Sequence, residues 1–292
     1  MQSRDPATGE VWATFPTATP NAVAEVLHRA RVAQPAWAAL EVSERVALLA
    51  RAGRRLYERR REVAGIISRE NGKPEVEALA AEVVTTLDIF RFYVRNSARL
   101  LAEERTRSSA LALWRKRISI TRNPYGVVAV ISPWNYPFML PAGIVAPALV
   151  AGNAVVLKPS ELTPSTATLL HEVFMEGGVP PEIFQLVHGG GETGNTLVQG
   201  DVDKVFFTGS VATGRRVAHA CAERLVPCAL ELGGSDPALV LADADLEHAA
   251  SGILWGRFAN CGQTCVAPKR VFVASEVYDR FVAAMAERVR QL

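Results

Sequence analysis

Apolar residues recur three and four positions apart along residues 21–34 and 43–71, the spacing that gives a helix one buried stripe. Gly72-Lys73-Pro74 interrupts the pattern, which resumes over 75–102, so the first third of the chain reads as mostly helical. Over 117–122 basic or polar residues alternate with apolar ones, as in a half-exposed strand. Beyond Pro124 the texture changes. Short β-rich runs at 127–131, 154–157, 184–187, 204–207 and 228–230 alternate with helix-length segments at 142–150, 164–176, 193–199 and 213–224. A strand at 238–241, a helix from Asp245, a cysteine-containing loop, a strand at 270–274 and a helix at 278–292 complete the order. Strands that are apolar throughout are buried on both faces, so the expected class is α/β, a parallel sheet with helices on either side. Ligands of such sheets bind outside the carboxyl ends of the strands, which directs attention to the loops that follow them.

The 292 residues are 49% hydrophobic and 21% charged, with a net charge of +2. This ordinary globular balance gives no reason to expect nucleic acid or a membrane as partner. The arginine-rich stretch 51–61 keeps helical spacing and reads as a solvated helix face. Cys221, Cys228, Cys261 and Cys265 lack paired CxxC spacing, and no histidine lies near the last two, which argues against a disulfide framework and against structural zinc. The first residues lack the apolar core of a signal peptide. The most apolar stretch, 142–157, is too short to span a membrane and contains Pro147 and Asn153. A reducing, cytoplasmic setting is expected.

Strand 204–207 runs into Thr208-Gly209-Ser210 and then Thr213-Gly214 as a helix begins. Glycine there lets backbone approach a phosphate that the helix N-terminus attracts, or simply permits a turn. Gly189-Gly190-Gly191-Glu192-Thr193-Gly194 matches GxGxxG, but no acidic residue closes the next strand, so it is not an ordinary dinucleotide fingerprint. Lys158 and Glu161, just past strand 154–157, could face the hydroxyls of a ribose, with Glu161 repelling a 2′-phosphate, or form a surface ion pair. Glu231 stands at a strand end beside Gly233 and Gly234, where a carboxylate serves as a general base or is merely solvated. The run Asn260-Cys261-Gly262-Gln263-Thr264-Cys265 carries two thiols. A reactive cysteine must be an accessible thiolate, whereas most cysteines behave as small buried hydrophobes. Asn135, in a loop directly after strand 127–131, is a neutral donor for an oxyanion or for its own turn.

In order and spacing, Pro133-Trp134-Asn135-Tyr136-Pro137, Lys158-Pro159-Ser160-Glu161, Phe207-Thr208-Gly209-Ser210 with Gly214, Glu231-Leu232-Gly233-Gly234 and Gly262-Gln263-Thr264-Cys265 resemble the motifs of the NAD(P)-dependent aldehyde dehydrogenase superfamily. The likeness runs from Asp5 to the end of the chain. It implies a Rossmann-like coenzyme-binding domain over 1–232, with 117–123 part of an oligomerisation arm, and an incomplete α/β catalytic domain over 233–292. It also implies oxidation of an aldehyde to a carboxylic acid. Cys265 would attack the aldehyde, the Asn135 side chain and the Cys265 N–H would hold the oxyanion, and Glu231 would activate the water that releases the acid. For NAD, or NADP, the likeness implies Lys158 and Glu161 on the adenosine ribose and Gly209 and Ser210 on the pyrophosphate. Gly191 and Gly214 would lie at the adenine end, Ile131 and Trp134 alongside, and the Leu232 backbone at the nicotinamide. Cys261 is left structural.

Two departures stand out. Ser235 stands where the family often has lysine. Family members also continue well beyond position 292, so a C-terminally truncated member with weak or no turnover is expected, carrying exposed apolar surface and an unpaired edge at 117–122. Homo-oligomers are the family's habit but doubtful for such a chain. A non-catalytic NAD-binding remnant and a cysteine-dependent esterase are the competing readings.

Overall fold

A hairpin of β1 (Gln2–Arg4) and β2 (Val11–Thr14) leads into α1 (Pro20–Ala38), α2 (Val42–Glu58), α3 (Arg60–Asn71), α4 (Glu75–Glu77), a π-helical turn (Ala78–Val84) and α5 (Thr85–Leu101). β3 (Glu104–Thr106) and β4 (Ile118–Ile120) form an antiparallel ribbon. Strands and helices then alternate: β5 (Val127–Ile131), α6 (Met139–Val150), β6 (Ala154–Lys158), α7 (Pro164–Glu176), β7 (Phe184–Leu186), α8 (Gly191–Gln199), β8 (Lys204–Gly209), α9 (Val211–Glu223) and β9 (Cys228–Leu232). The last elements are β10 (Asp236–Val240), α10 (Leu246–Phe258), β11 (Pro268–Val273) and α11 (Tyr278–Val289). This computed structural model describes residues 1–106 and 116–292. They divide into two units, Met1–Thr208 with Ala212–Leu230 and Gly209–Val211 with Glu231–Leu292.

The first unit is built on a five-stranded sheet of order β7-β6-β5-β8-β9, with β7, β6, β5 and β8 mutually parallel. Every residue of β5 and β6 is buried, as the unbroken apolar runs predict. Helices α1, α6, α7 and α8 pack on these strands, and α2 and α5 pack on each other and on α6. The α/β class read from the sequence is the class observed.

Two expected helices are divided. The pattern over 43–71 breaks at Arg59, which ends α2 and starts α3. Its guanidinium reaches Glu62, Glu172 and Glu176, and Arg51 donates to Gly177 O at 2.9 Å. The arginine-rich face is therefore more than solvated: it grips the C-terminal end of α7. The pattern over 75–102 contains the π turn, inside which Glu82 is fully buried. Strand 117–122 is shorter than expected, and β3 fills one of its edges.

Burying both sheet faces also buries helix ends, whose first N–H and last C=O groups have no partner within the helix. The N-terminal helices supply those partners. Glu70 accepts from Ser165 N and Thr166 N, at 2.9 and 2.8 Å, at the start of α7. Glu82 does the same for Phe138 N and Met139 N at the start of α6. Arg45 donates to Val150 O, which ends α6, at 2.9 Å and to Ala38 O, which ends α1, at 3.1 Å. Each charge has the sign that the helix dipole favours at its end.

The second unit is small. β10 and β11 pair in parallel, and α10 and α11 pack around Val240, Ala250 and Phe281 with Leu246, Ile253 and Met285. Asp245 caps α10 through the N–H groups of Glu247 and His248. Among the described residues no helix is long and apolar enough to cross a membrane, and no cluster of side chains could hold a metal ion.

His188 yields a test of packing in the first unit. Its ring lies 4.9 Å from that of Phe15, and burial, with Lys158 nearby, pushes its pKa down to about 4. The unfolded chain therefore takes up the proton first. Stability from a neutral His188 is complete above the ordinary histidine value of roughly 6.5 and is lost as pH falls towards 4. Calorimetric melting at pH 7 and pH 5 should show a smaller fall for His188→Phe than for the unaltered chain; equal falls would exclude this ring as a source of acid sensitivity.

Candidate active site

In the first unit the strand order reverses between β5 and β8, the position at which open α/β sheets leave a crevice at their carboxyl edge. Ile131 closes β5, and Ser132 N donates to Lys158 O at 3.1 Å, so two strand ends leave the sheet side by side. Lys158 is buried. Its Nζ donates to Gly189 O at 2.7 Å and lies 3.8 Å from Glu161 Oε2, on a side chain that is mostly in solvent. Burial holds the Lys158 ammonium below its ordinary pKa, against the opposing pull of Glu161.

Glycines complete this corner. A Cβ on Gly189 would stand 2.0 Å from Thr193 Oγ1, so the turn that presents its carbonyl to Lys158 needs glycine. Gly194, within α8, backs onto Lys158 and Ile131, at 3.4 and 3.8 Å from where its Cβ would be. Gly191 opens α8 with nothing within 4 Å of that position. Gly214 is buried near the start of α9. Ser132 Oγ is buried at the end of β5 with no hydrogen-bond partner among the described residues, an orphan that a bound polar group would satisfy. These residues fit a dinucleotide.

The loop after β5 is held from α3 and the segment that follows it. Trp134 O accepts from Asn71 Nδ2 at 2.8 Å and Asn135 O from Lys73 Nζ at 2.9 Å. Trp134 is 41% exposed and Asn135 half-buried.

Gly209, Ser210, Glu231, Leu232 and Cys265 belong to the second unit. Cys265 is exposed and follows a 3₁₀ turn in which Asn260, Cys261 and Gly262 all have positive φ, 57°, 55° and 73°. Left-handed backbone at two consecutive non-glycine residues is strained and persists only where surroundings enforce it. Here they do. Gln263 Nε2 donates to Asn260 O at 3.2 Å, and Arg257 Nη1 to Gly262 O at 3.3 Å. Lys269 then joins this turn to the loop after Glu231: its Nζ donates to Gly234 O at 2.8 Å and to Cys265 O at 3.4 Å. Arg270 donates twice to Ser235 O, at 3.0 and 2.7 Å, so the position where a family lysine was noted missing is fixed by its backbone. One ammonium thus ties the backbone beside the exposed Cys265 thiol to the loop that follows the end of β9, where Glu231 is also exposed.

Sequence reasoning passed over Lys269, Ser132, Asn71 and Lys73 as site residues. Lys269 fell just outside the strand expected over 270–274, where the observed β11 begins already at Pro268, and Lys73 looked like part of a helix break. Glu82 did leave a signal, a carboxylate within the apolar run Ala-Leu-Ala-Ala-Glu-Val-Val.

The sequence model of the aldehyde dehydrogenase family matches residues 1–292. A 4,4'-diapolycopene aldehyde oxidase from Methylomonas is 39% identical over 98% of this chain and 54% of its own length. The solved lactaldehyde dehydrogenase of Escherichia coli superposes with a TM-score of 0.93 at 36% identity, over 99% of this chain and 60% of that one. A structure of PnpE in complex with nicotinamide adenine dinucleotide superposes with a TM-score of 0.93 at 34% identity, over 99% and 58%. The chain thus spans somewhat more than half the length of the proteins it matches.

The bridge can be tested alone. Lys269→Met should raise amide hydrogen exchange severalfold over 233–236 and 262–267 and shift stability by no more than about 1 kcal/mol, because Lys269 is exposed. Unchanged exchange there would mean that the ammonium does not tie the loops.

Proposed function

This chain belongs to the aldehyde dehydrogenase family, and from that premise we propose that its protein oxidises an aldehyde to a carboxylic acid, with NAD as coenzyme and Cys265 as nucleophile. The observation that carries the reading is the Lys269 bridge, which keeps the loop after Glu231 beside the carbonyl of Cys265. In this reading the Cys265 thiolate adds to the aldehyde carbonyl. The Asn135 amide and the Cys265 N–H donate to the resulting oxyanion, where charge develops and fixed donors count most. A bound nicotinamide supplies the hydride acceptor. Glu231 takes a proton from the water that cleaves the thioester, releasing the acid and restoring the thiol.

Residues 1–232 form the coenzyme-binding domain of this proposal and 233–292 part of the catalytic one. Lys158 and Glu161 hold the adenosine ribose, Gly209 and Ser210 the pyrophosphate, and Gly191 and Gly214 line the adenine end. Ile131 and Trp134 flank the dinucleotide, and the Leu232 backbone meets the nicotinamide. The unpartnered Ser132 hydroxyl supports a polar ligand at this edge, and the solved relative with NAD bound supports its identity. Glu161 would repel a 2′-phosphate, so NAD is preferred to NADP. The β3–β4 ribbon is the arm through which copies of the protein associate, and a cytoplasmic setting keeps the thiol reduced.

NADH formation from an aldehyde panel tests the reaction. Cys265→Ser should lower it by at least about 10³-fold and Asn135→Ala by roughly 10²–10³-fold. Ester hydrolysis with no NADH formation from any aldehyde would sink the dehydrogenase reading. For the coenzyme, Glu161→Gln should tighten NADP binding by a few-fold while NAD binding changes less; equal changes by calorimetry would remove Glu161 from the selection.

A further inference from the structure

We infer that Asn71, Lys73 and Glu82 are positioning residues, a buried clamp that fixes the backbone of the loop over 134–139 and so aims the Asn135 amide. The inference rests on the oxyanion role given to Asn135 above and assigns a task to Gly72-Lys73-Pro74, which the sequence presents only as a break between helices.

The clamp holds the loop at successive backbone atoms. Asn71 Nδ2 takes Trp134 O at 2.8 Å, and Lys73 Nζ takes Asn135 O at 2.9 Å. Glu82 Oε2 accepts from Phe138 N at 2.8 Å and Met139 N at 3.2 Å, and its other oxygen receives Lys73 Nζ. The same ammonium lies 4.5 Å from the centroid of the Tyr136 ring, so its charge also faces the loop's aromatic surface. Pro133 and Pro137 bracket the loop and lock φ at both ends.

Both ion-pair side chains are wholly out of solvent. Burial pushes the Glu82 carboxyl up, and Lys73 with the two N–H groups pulls it down. Apolar residues of the same volume would often serve stability as well or better than a buried ion pair. An ion pair is needed if a lysine must point at one carbonyl and a carboxylate at two particular N–H groups. The π turn carrying Glu82 fits this demand. An extra residue in a helical turn rotates the downstream face by about 100°, and such turns concentrate at functional sites. The left-handed Gly72, φ +85°, turns the chain so that Asn71 and Lys73 both face the loop.

Two measurements on the full chain test the clamp. In the first, the side-chain amide resonance of Asn135, identified by its loss in Asn135→Ala, is followed by NMR, with buried Asn153 as internal control. Asn71→Ala and Lys73→Met should move the Asn135 signal towards that of a free asparagine and leave Asn153 in place. Asn71→Ala keeps the ion pair intact, so it reports even if Lys73→Met does not fold. An unmoved Asn135 signal in Asn71→Ala overturns the proposal. In the second, NADH formation is measured as a double-mutant cycle. Asn71→Ala should lower kcat about tenfold with the KM for NAD little changed, since small displacements of a reacting group are costly. In an Asn135→Ala background the same change should have almost no effect. Additive losses would mean that Asn71 acts elsewhere and would overturn the clamp. If Asn135→Ala alone leaves NADH formation intact, the oxyanion role fails, and the resonance measurement still decides whether the loop is clamped.

Discussion

Burial of β5 and β6 on both faces is the constraint from which the rest of the first unit follows. A strand without a wet face has nowhere to carry a working polar side chain, so the chemistry is pushed to its carboxyl end and the loop beyond. Lys158 is the extreme case. It is the last residue of β6, buried with its strand, and its ammonium is satisfied by the Gly189 carbonyl.

The same burial creates a second demand. Helices laid on both faces have their ends drawn inside, where unpaired N–H and C=O groups are costly. Glu70, Glu82 and Arg45, all from the helical N-terminal third, meet that demand at the starts of α7 and α6 and at the ends of α6 and α1. Removing one partner of such a buried group leaves an uncompensated charge or dipole, a loss of roughly 3–5 kcal/mol for an ion pair. The N-terminal helices are thus a matched set of polar contacts for the sheet layer as well as an apolar cover.

The second unit works differently. Its core is small, and Leu239, Trp255 and Phe272 are each more than half exposed. Order around Cys265 comes from side chains that seize carbonyls: Arg257, Gln263, Lys269 and Arg270. These bonds hold three successive left-handed residues in place and leave the thiol accessible.

Much of this was legible in the residues alone. Unbroken apolar runs determined the buried parallel strands, because only a strand covered on both sides lacks polar alternation. The ordered motifs from Pro133 to Cys265 determined the family, since spacing and residue type survive without knowledge of contacts. Tertiary structure decided what no local pattern encodes. That Lys158 reaches Gly189, that Lys269 joins two loops 31 residues apart, and that Lys73 and Glu82 both reach the loop over 134–139 are long-range pairings. The alphabet of periodicity reports burial and turn, and it carries no information on which buried charge finds which partner. For that reason Gly72-Lys73-Pro74 looked like punctuation in the sequence, and in the fold it grips the loop that carries Asn135.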